Sequence, residues 1–179
     1  HSSLHAALAA GHRYYDQAGP RNYLLLNRGK RRFETVSPDP ALDQYHNSYQ
    51  GSWADYDQDG DMDLYVCNDF APDSLLRNDG WGKDGVPSFT DVSKELSGDT
   101  MKGFGMGASW GDYDNDLKPD LFVTNMYSKA GKRVLSRFDG VDARLHFSAR
   151  GNLIFKQDGG KFHQLAGERP WLAGDISDA

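Results

Sequence analysis

The chain has 179 residues, 38% of them hydrophobic, with 20 glycines and a formal net charge of −6. That leaves room for one sizeable core built from a turn-rich β composition, and the acidic balance argues against a nucleic-acid partner. A single cysteine, Cys67, excludes a disulfide framework within the chain, and no segment has the length of a transmembrane helix.

The chain begins with His rather than Met and reads as a piece of something longer; Leu24, Leu25 and Leu26 are too few for a signal core. A helix candidate, Ser3 to Ala10, is followed by a turn punctuated by Gly11, Gly19 and Pro20. His1, His5 and His12 share no single helical face and do not read as a metal cluster. From Asn22 to Val36 the pattern is an apolar strand, a glycine turn at Gly29, and a second strand carrying Phe33. The basic run Arg28, Lys30, Arg31 and Arg32 then falls on a solvated hairpin tip.

The stretch GSWADYDQDGDMDLYVCND, residues 51–69, sets carboxylates at Asp55, Asp57, Asp59, Asp61 and Asp63 with Gly60 among them. Two carboxylates 4 Å apart repel by about 4 kcal/mol at an effective dielectric near 20, so a turn that gathers four of them needs a cation. Oxygen donors alone suit Ca²⁺. The spacing selects Asp55, Asp57, Asp59 and Asp63 as side-chain ligands and Asp61 through its carbonyl. An EF-hand loop opens in the same way, but its twelfth position requires a bidentate Glu, and here that position is Val66 inside a strand-like run.

A second hairpin, Asp73 to Val92, turns at Gly80 with an insertion from Trp81 to Ser88 and places Phe89 where the first has Phe33. Residues 108–126, ASWGDYDNDLKPDLFVTNM, then repeat the acidic stretch 57 positions on (112 − 55 = 57), with Asp112, Asp114, Asp116 and Asp120. Leu117 stands where the first loop has glycine; at positive φ it costs on the order of 1 kcal/mol, so this loop should bend differently or bind Ca²⁺ more weakly. Cys67 corresponds to Thr124 and reads as a buried strand position rather than a reactive thiol. The connection 127–151 contains amphipathic stretches at Lys132 to Phe138 and Ala143 to Ala149, and a third hairpin follows from Asn152 to Leu165, with Gly159 and Phe162.

Joined together, these elements make a four-stranded antiparallel unit of about 57 residues that cannot bury both faces alone. The fold class is therefore all-β, a partial β-propeller with short helical insertions. Residues 1–48 would hold the end of one blade with an N-terminal insertion, 49–104 and 105–170 two full blades, and 171–179 the start of another, with Gly174 and Asp175 matching Gly111 and Asp112. The remaining blades would come from sequence beyond this stretch or from other chains. Strands are predicted near 51–56, 63–68, 74–78, 88–92, 106–112, 120–125, 152–156 and 162–165, with Trp53, Leu64, Val66, Trp110, Leu121 and Val123 facing inward.

The strings WADYDQDGDMDLYVCN and WGDYDNDLKPDLFVTN, each followed by a glycine hairpin, resemble the FG-GAP/VCBS repeats of integrin-α-like propellers. The longer string GMGASWGDYDNDLKPDLFVTNMYSKAGKR, with ARGNLIFKQDGGKF after it, is similar to secreted bacterial proteins related to cartilage acidic protein (ASPIC/UnbV-associated). The resemblance implies a propeller, Ca²⁺ in the acidic loops, and an extracellular or periplasmic location. It implies as ligands Asp55, Asp57, Asp59, Asp61 and Asp63 in the first loop, and Asp112, Asp114, Asp116, Lys118 through its carbonyl, and Asp120 in the second. It implies no established catalytic activity.

Two functional classes follow. One is a non-enzymatic extracellular calcium-binding module for adhesion, matrix or assembly, meeting a protein or glycan partner through the face that carries the insertions. The other is a secreted enzyme or carbohydrate-active protein with a site at the propeller axis or in the insertions, drawing on His146, His163, Glu168 and exposed aromatics such as Trp81. Outside the acidic loops no nucleophile–base motif or phosphate loop supports the second class.

Overall fold

In the computed structural model the described residues are 19–36, 40–69, 71–94, 105–125 and 151–165. They form ten strands and almost no helix: β1 (Leu25–Asn27), β2 (Phe33–Thr35), β3 (Asn47–Ala54), β4 (Asp63–Asp69), β5 (Ser74–Trp81), β6 (Pro87–Asp91), β7 (Gly105–Gly111), β8 (Asp120–Asn125), β9 (Leu153–Asp158) and β10 (Lys161–Gln164). Two four-stranded antiparallel meanders result, β3-β4-β5-β6 and β7-β8-β9-β10, with β1-β2 as a separate hairpin. This is the all-β, propeller-like architecture read from the repeats. Its duplication extends to irregularities: β3 bulges between Ser48 and Gln50, and β7 between Gly105 and Gly107, again 57 residues on.

The alternation of side chains along β4 explains why both of its faces are buried. Tyr65 and Cys67 point into a cluster with Leu75 and Val92 that continues into the second sheet through Leu121, Val123, Phe155 and Phe162. Leu64 and Val66 point the other way, into a cluster with Leu76, Phe89 and Leu42. A strand sandwiched in this way must be apolar on both sides, and all seven of its residues are buried. Each large side chain so buried contributes roughly 1.5–3 kcal/mol.

Leu64, Val66, Leu121 and Val123 are buried as the sequence predicts, but the two tryptophans differ. Trp110 packs against the inter-sheet core, between Tyr56, Tyr65 and Phe162 at ring-centroid distances of 6.4, 6.4 and 5.9 Å. Trp53, at the same place in the first sheet, is 44% exposed, contrary to the expectation of an inward position. It rests on Phe89, on the face where the described cover consists of Leu24, Ala41 and Leu42. Phe33 is exposed for a similar reason: β1 and β2 have no buried position on their three paired residues each.

Gly107 and Gln50 lock the sheets side by side. The Gln50 side chain accepts from the Ala108 amide at 3.1 Å and donates to the Ala108 carbonyl at 3.3 Å. A Cβ on residue 107 would meet Gln50 Oε1 at 2.6 Å, so a larger residue there would push the Gln50 side chain out of its bonds to Ala108. The Trp110 indole N–H donates to the Ser52 carbonyl at 3.3 Å, a second tie between the same two strands.

The hairpin tip at Arg28–Arg32 is solvated as expected, with Arg28 paired to Glu34 at 2.8 Å. The Gly80 turn is corrected: β5 continues through Gly80 to Trp81, Gly80 sits at a bulge with φ 91°, and the reversal lies at Gly82–Val86. The insertion therefore lengthens a hairpin. The helical stretches, the three N-terminal histidines, His146, Glu168, most of the 127–151 insertion and residues 171–179 lie outside the described residues.

Candidate metal centre

Each acidic loop joins the first two strands of its sheet, at the end that also carries the glycine hairpin. One set of five backbone N–H donors organises each loop. In the first, Asp55 accepts from Asp59 and Gly60, both at 3.0 Å, and Asp59 accepts from Asp61 at 2.9 Å. Asp63 closes the loop, accepting from Tyr56 at 3.0 Å and from Asn78 on the third strand at 2.8 Å. In the second, Asp112 accepts from Asp116 at 3.0 Å and Leu117 at 2.9 Å, Asp116 from Lys118 at 3.0 Å, and Asp120 from Tyr113 at 3.0 Å and Gln157 at 2.9 Å.

This scaffold turns carboxylates toward one another. Oxygens of Asp55, Asp57 and Asp59 lie within 4.8 Å of each other, as do those of Asp112, Asp114 and Asp116, and each triad could hold a metal ion. Asp63 and Asp120 are buried, with both oxygens engaged by main-chain N–H groups; each oxygen retains a second lone pair. Asp61 lies beside the first triad through the hydrogen bond that its main-chain N–H donates to Asp59. Lys118 directs its ammonium at Asp116, 3.6 Å away.

Leu117 does not make its loop bend differently. Its φ is 66°, against 99° at Gly60, and Asn115 and Gln58 match at 62° and 61°. The duplicated carboxylate bonds hold leucine in a left-handed conformation at a cost of about 1–2 kcal/mol. Its side chain is 81% exposed and offsets none of this by packing. The loops also touch: the Gln58 amide donates to the Leu117 carbonyl at 2.7 Å, and the Gln157 amide donates to the Tyr56 carbonyl.

The electrostatics of the two loops have opposite signs. Burial, reinforced by the charge of Asp59, pushes the Asp57 carboxyl above its ordinary range. Burial also pushes Asp63 up to about 6, against the hydrogen bonds donated by the Asn78 and Tyr56 main-chain N–H groups. In the second loop burial would raise Asp116, but the Lys118 amide and the Lys118 and Lys156 ammonium groups hold it below the usual carboxylate range.

The model of the FG-GAP-like repeat matches residues 8–66 and 55–123, which is more than half the chain. The chain belongs to the FG-GAP-like repeat family. The two matched FG-GAP repeats end 57 residues apart (123 − 66 = 57), the spacing of the acidic loops. No curated protein matches the chain.

Sequence reasoning missed what closes the opposite end of each four-stranded sheet. Asn68 donates its side-chain amide to the Pro72 carbonyl at 2.8 Å, while its main-chain N–H donates to Asp73 at 2.7 Å. Asn125 repeats this with Gly151 at 3.0 Å and Asn152 at 3.1 Å. Asn125 is thus joined to Gly151 and Asn152 by the same kind of junction that a short connection uses in the first sheet. The final asparagine of the repeated strings was the available signal. His163 lies exposed on β10, and Trp81, at the end of β5, is 61% exposed.

Proposed function

We propose that this FG-GAP chain is a calcium-binding β-propeller module that works outside the cytosol in adhesion, matrix contact or assembly. The observation that carries the reading is the duplicated loop scaffold: the same five main-chain bonds gather three carboxylates twice, 57 residues apart. In the first loop Asp55, Asp57, Asp59 and Asp63 would hold Ca²⁺ with their carboxylates and Asp61 with its carbonyl. The ion would offset the repulsion and rigidify the end of the blade. Asp112, Asp114, Asp116, Asp120 and the Lys118 carbonyl would be the corresponding donors of the second loop, too weak a site to fill at the concentrations that fill the first. Sites in extracellular modules typically bind with Kd around 10⁻⁴–10⁻³ M, so occupancy would follow the calcium of an exterior or periplasmic compartment. The string running from Gly105 through the insertion favours the ASPIC/UnbV-associated branch of secreted proteins.

A protein or glycan partner would meet the insertion face. In an antiparallel meander the second-to-third-strand connections leave from the end opposite the first-to-second loops, so a partner on the insertions would meet the end away from the calcium loops. The reading is tested by titrating chelated protein with Ca²⁺ and following its melting temperature. At ten times Kd, binding stabilises by about 1.4 kcal/mol, a rise of roughly 3–6 °C. No rise would leave these loops as ordinary acidic turns.

A further inference from the structure

Arg77 and Lys156 occupy one structural position. Arg77 precedes Asn78, whose amide binds Asp63; Lys156 precedes Gln157, whose amide binds Asp120. Arg77 pairs in register with Thr90, and Lys156 with His163. Their charges go to different places. Arg77 donates to Asp79 at 2.8 Å, and Asp79 is itself held by the Thr90 hydroxyl. Lys156 reaches back into the acidic loop, pairing with Asp114 and lying 3.6 Å from Asp116. With histidine in place of threonine, Asp158 lacks the hydroxyl partner of Asp79; it is 71% exposed and sits 3.6 Å from Lys118.

Charge counts sharpen the contrast. The first loop carries five carboxylates, and its neighbouring guanidinium is bonded to Asp79 and acts on Asp57 only through its more distant charge. The second carries four, because Lys118 stands at the position of Asp61, and Lys118 and Lys156 both lie within 4 Å of Asp116. We propose that the Lys156 ammonium is the resident cation of the second loop, so that Lys156 keeps a divalent ion out and leaves this part of the chain with one calcium site. The inference rests on the calcium reading of the first loop. It assigns the weakness of the second to a competing charge, in place of the leucine that replaces glycine. A primary amine on a flexible stem suits this role, since it satisfies two carboxylates as a compact point charge.

Isothermal titration of Ca²⁺ into the chelated wild-type protein, Lys156→Gln and Lys156→Arg decides between the outcomes. The account expects one site in the wild type, two in Lys156→Gln and one in Lys156→Arg. Removing the ammonium should tighten the second loop by roughly 30-fold, the scale of one unit charge facing a divalent ion about 4 Å away in a water-like medium. Adding Asp114→Asn to Lys156→Gln should abolish the gained site. Two sites in the wild type, or one site in both the wild type and Lys156→Gln, would overturn the assignment while leaving calcium binding intact. No binding to the wild type with one site in Lys156→Gln would keep the role of Lys156 and refute the reading of the first loop. No binding to either would refute both.

Discussion

Replacing Trp110 with alanine removes a ring that bridges the two sheets, and its structural twin Trp53 supplies an internal comparison. A mostly buried indole withdraws about 150 Å² from water, roughly 4 kcal/mol at 25 cal/mol per Å². Trp110 also contacts three aromatic rings at 5.9–6.4 Å and donates a hydrogen bond to Ser52. Allowing for local relaxation, Trp110→Ala should cost about 3–5 kcal/mol. Trp53 is 44% exposed and contacts one described ring, Phe89 at 6.3 Å, so Trp53→Ala should cost about 1–2 kcal/mol. Urea unfolding in excess chelator, monitored by fluorescence and far-UV circular dichroism, measures both without a contribution from calcium. A cost below about 1 kcal/mol for Trp110→Ala, or an equal cost for the two variants, would refute the packing of one sheet on the next.

Asp57→Asn should abolish the calcium response of the first loop while leaving the chelated protein as stable or slightly more so, because burial and Asp59 already disfavour the Asp57 charge; paired melting curves with and without calcium check this. Leu117→Gly should stabilise the chelated protein by up to about 1 kcal/mol by relieving a left-handed leucine, with no change in calcium stoichiometry. Asp73, bonded to the Tyr65 hydroxyl at 2.8 Å and the Asn68 amide, has its carboxyl raised by burial from 3.8 to about 7. Between about pH 4 and 7 the folded state therefore keeps a proton that the unfolded chain releases, and stability falls as pH rises through that window. Asp73→Asn should flatten this slope in denaturant titrations across the window; an unchanged slope would show that Asp73 ionises freely.

Regular strands and both acidic loops were legible because duplication made the same residues visible twice, and period-two apolar patterning marks a buried strand without reference to its neighbours. The fate of Trp53 was not legible. Closely similar local sequence places Trp53 and Trp110 at one position, and only the neighbouring sheet decides which is covered. Gly80 misled for a related reason: a positive-φ glycine serves a bulge as well as a turn, and the reversal at Gly82–Val86 lies just beyond it. Lys156 was hidden because its partner Asp114 is 42 residues away, across the long insertion. Superposing the repeats puts Lys156 opposite Arg77 and Lys118 opposite Asp61, which shows the charge reversal but not where each ammonium goes.

A crystal structure grown in millimolar calcium, with anomalous data collected at long wavelength, tests the central claim most directly. The account expects one anomalous peak in the first loop, about 2.3–2.6 Å from oxygens of Asp55, Asp57, Asp59 and Asp63 and from the Asp61 carbonyl, with Lys156 still on Asp114 in the second. Absence of a peak at Asp55–Asp63 would contradict it.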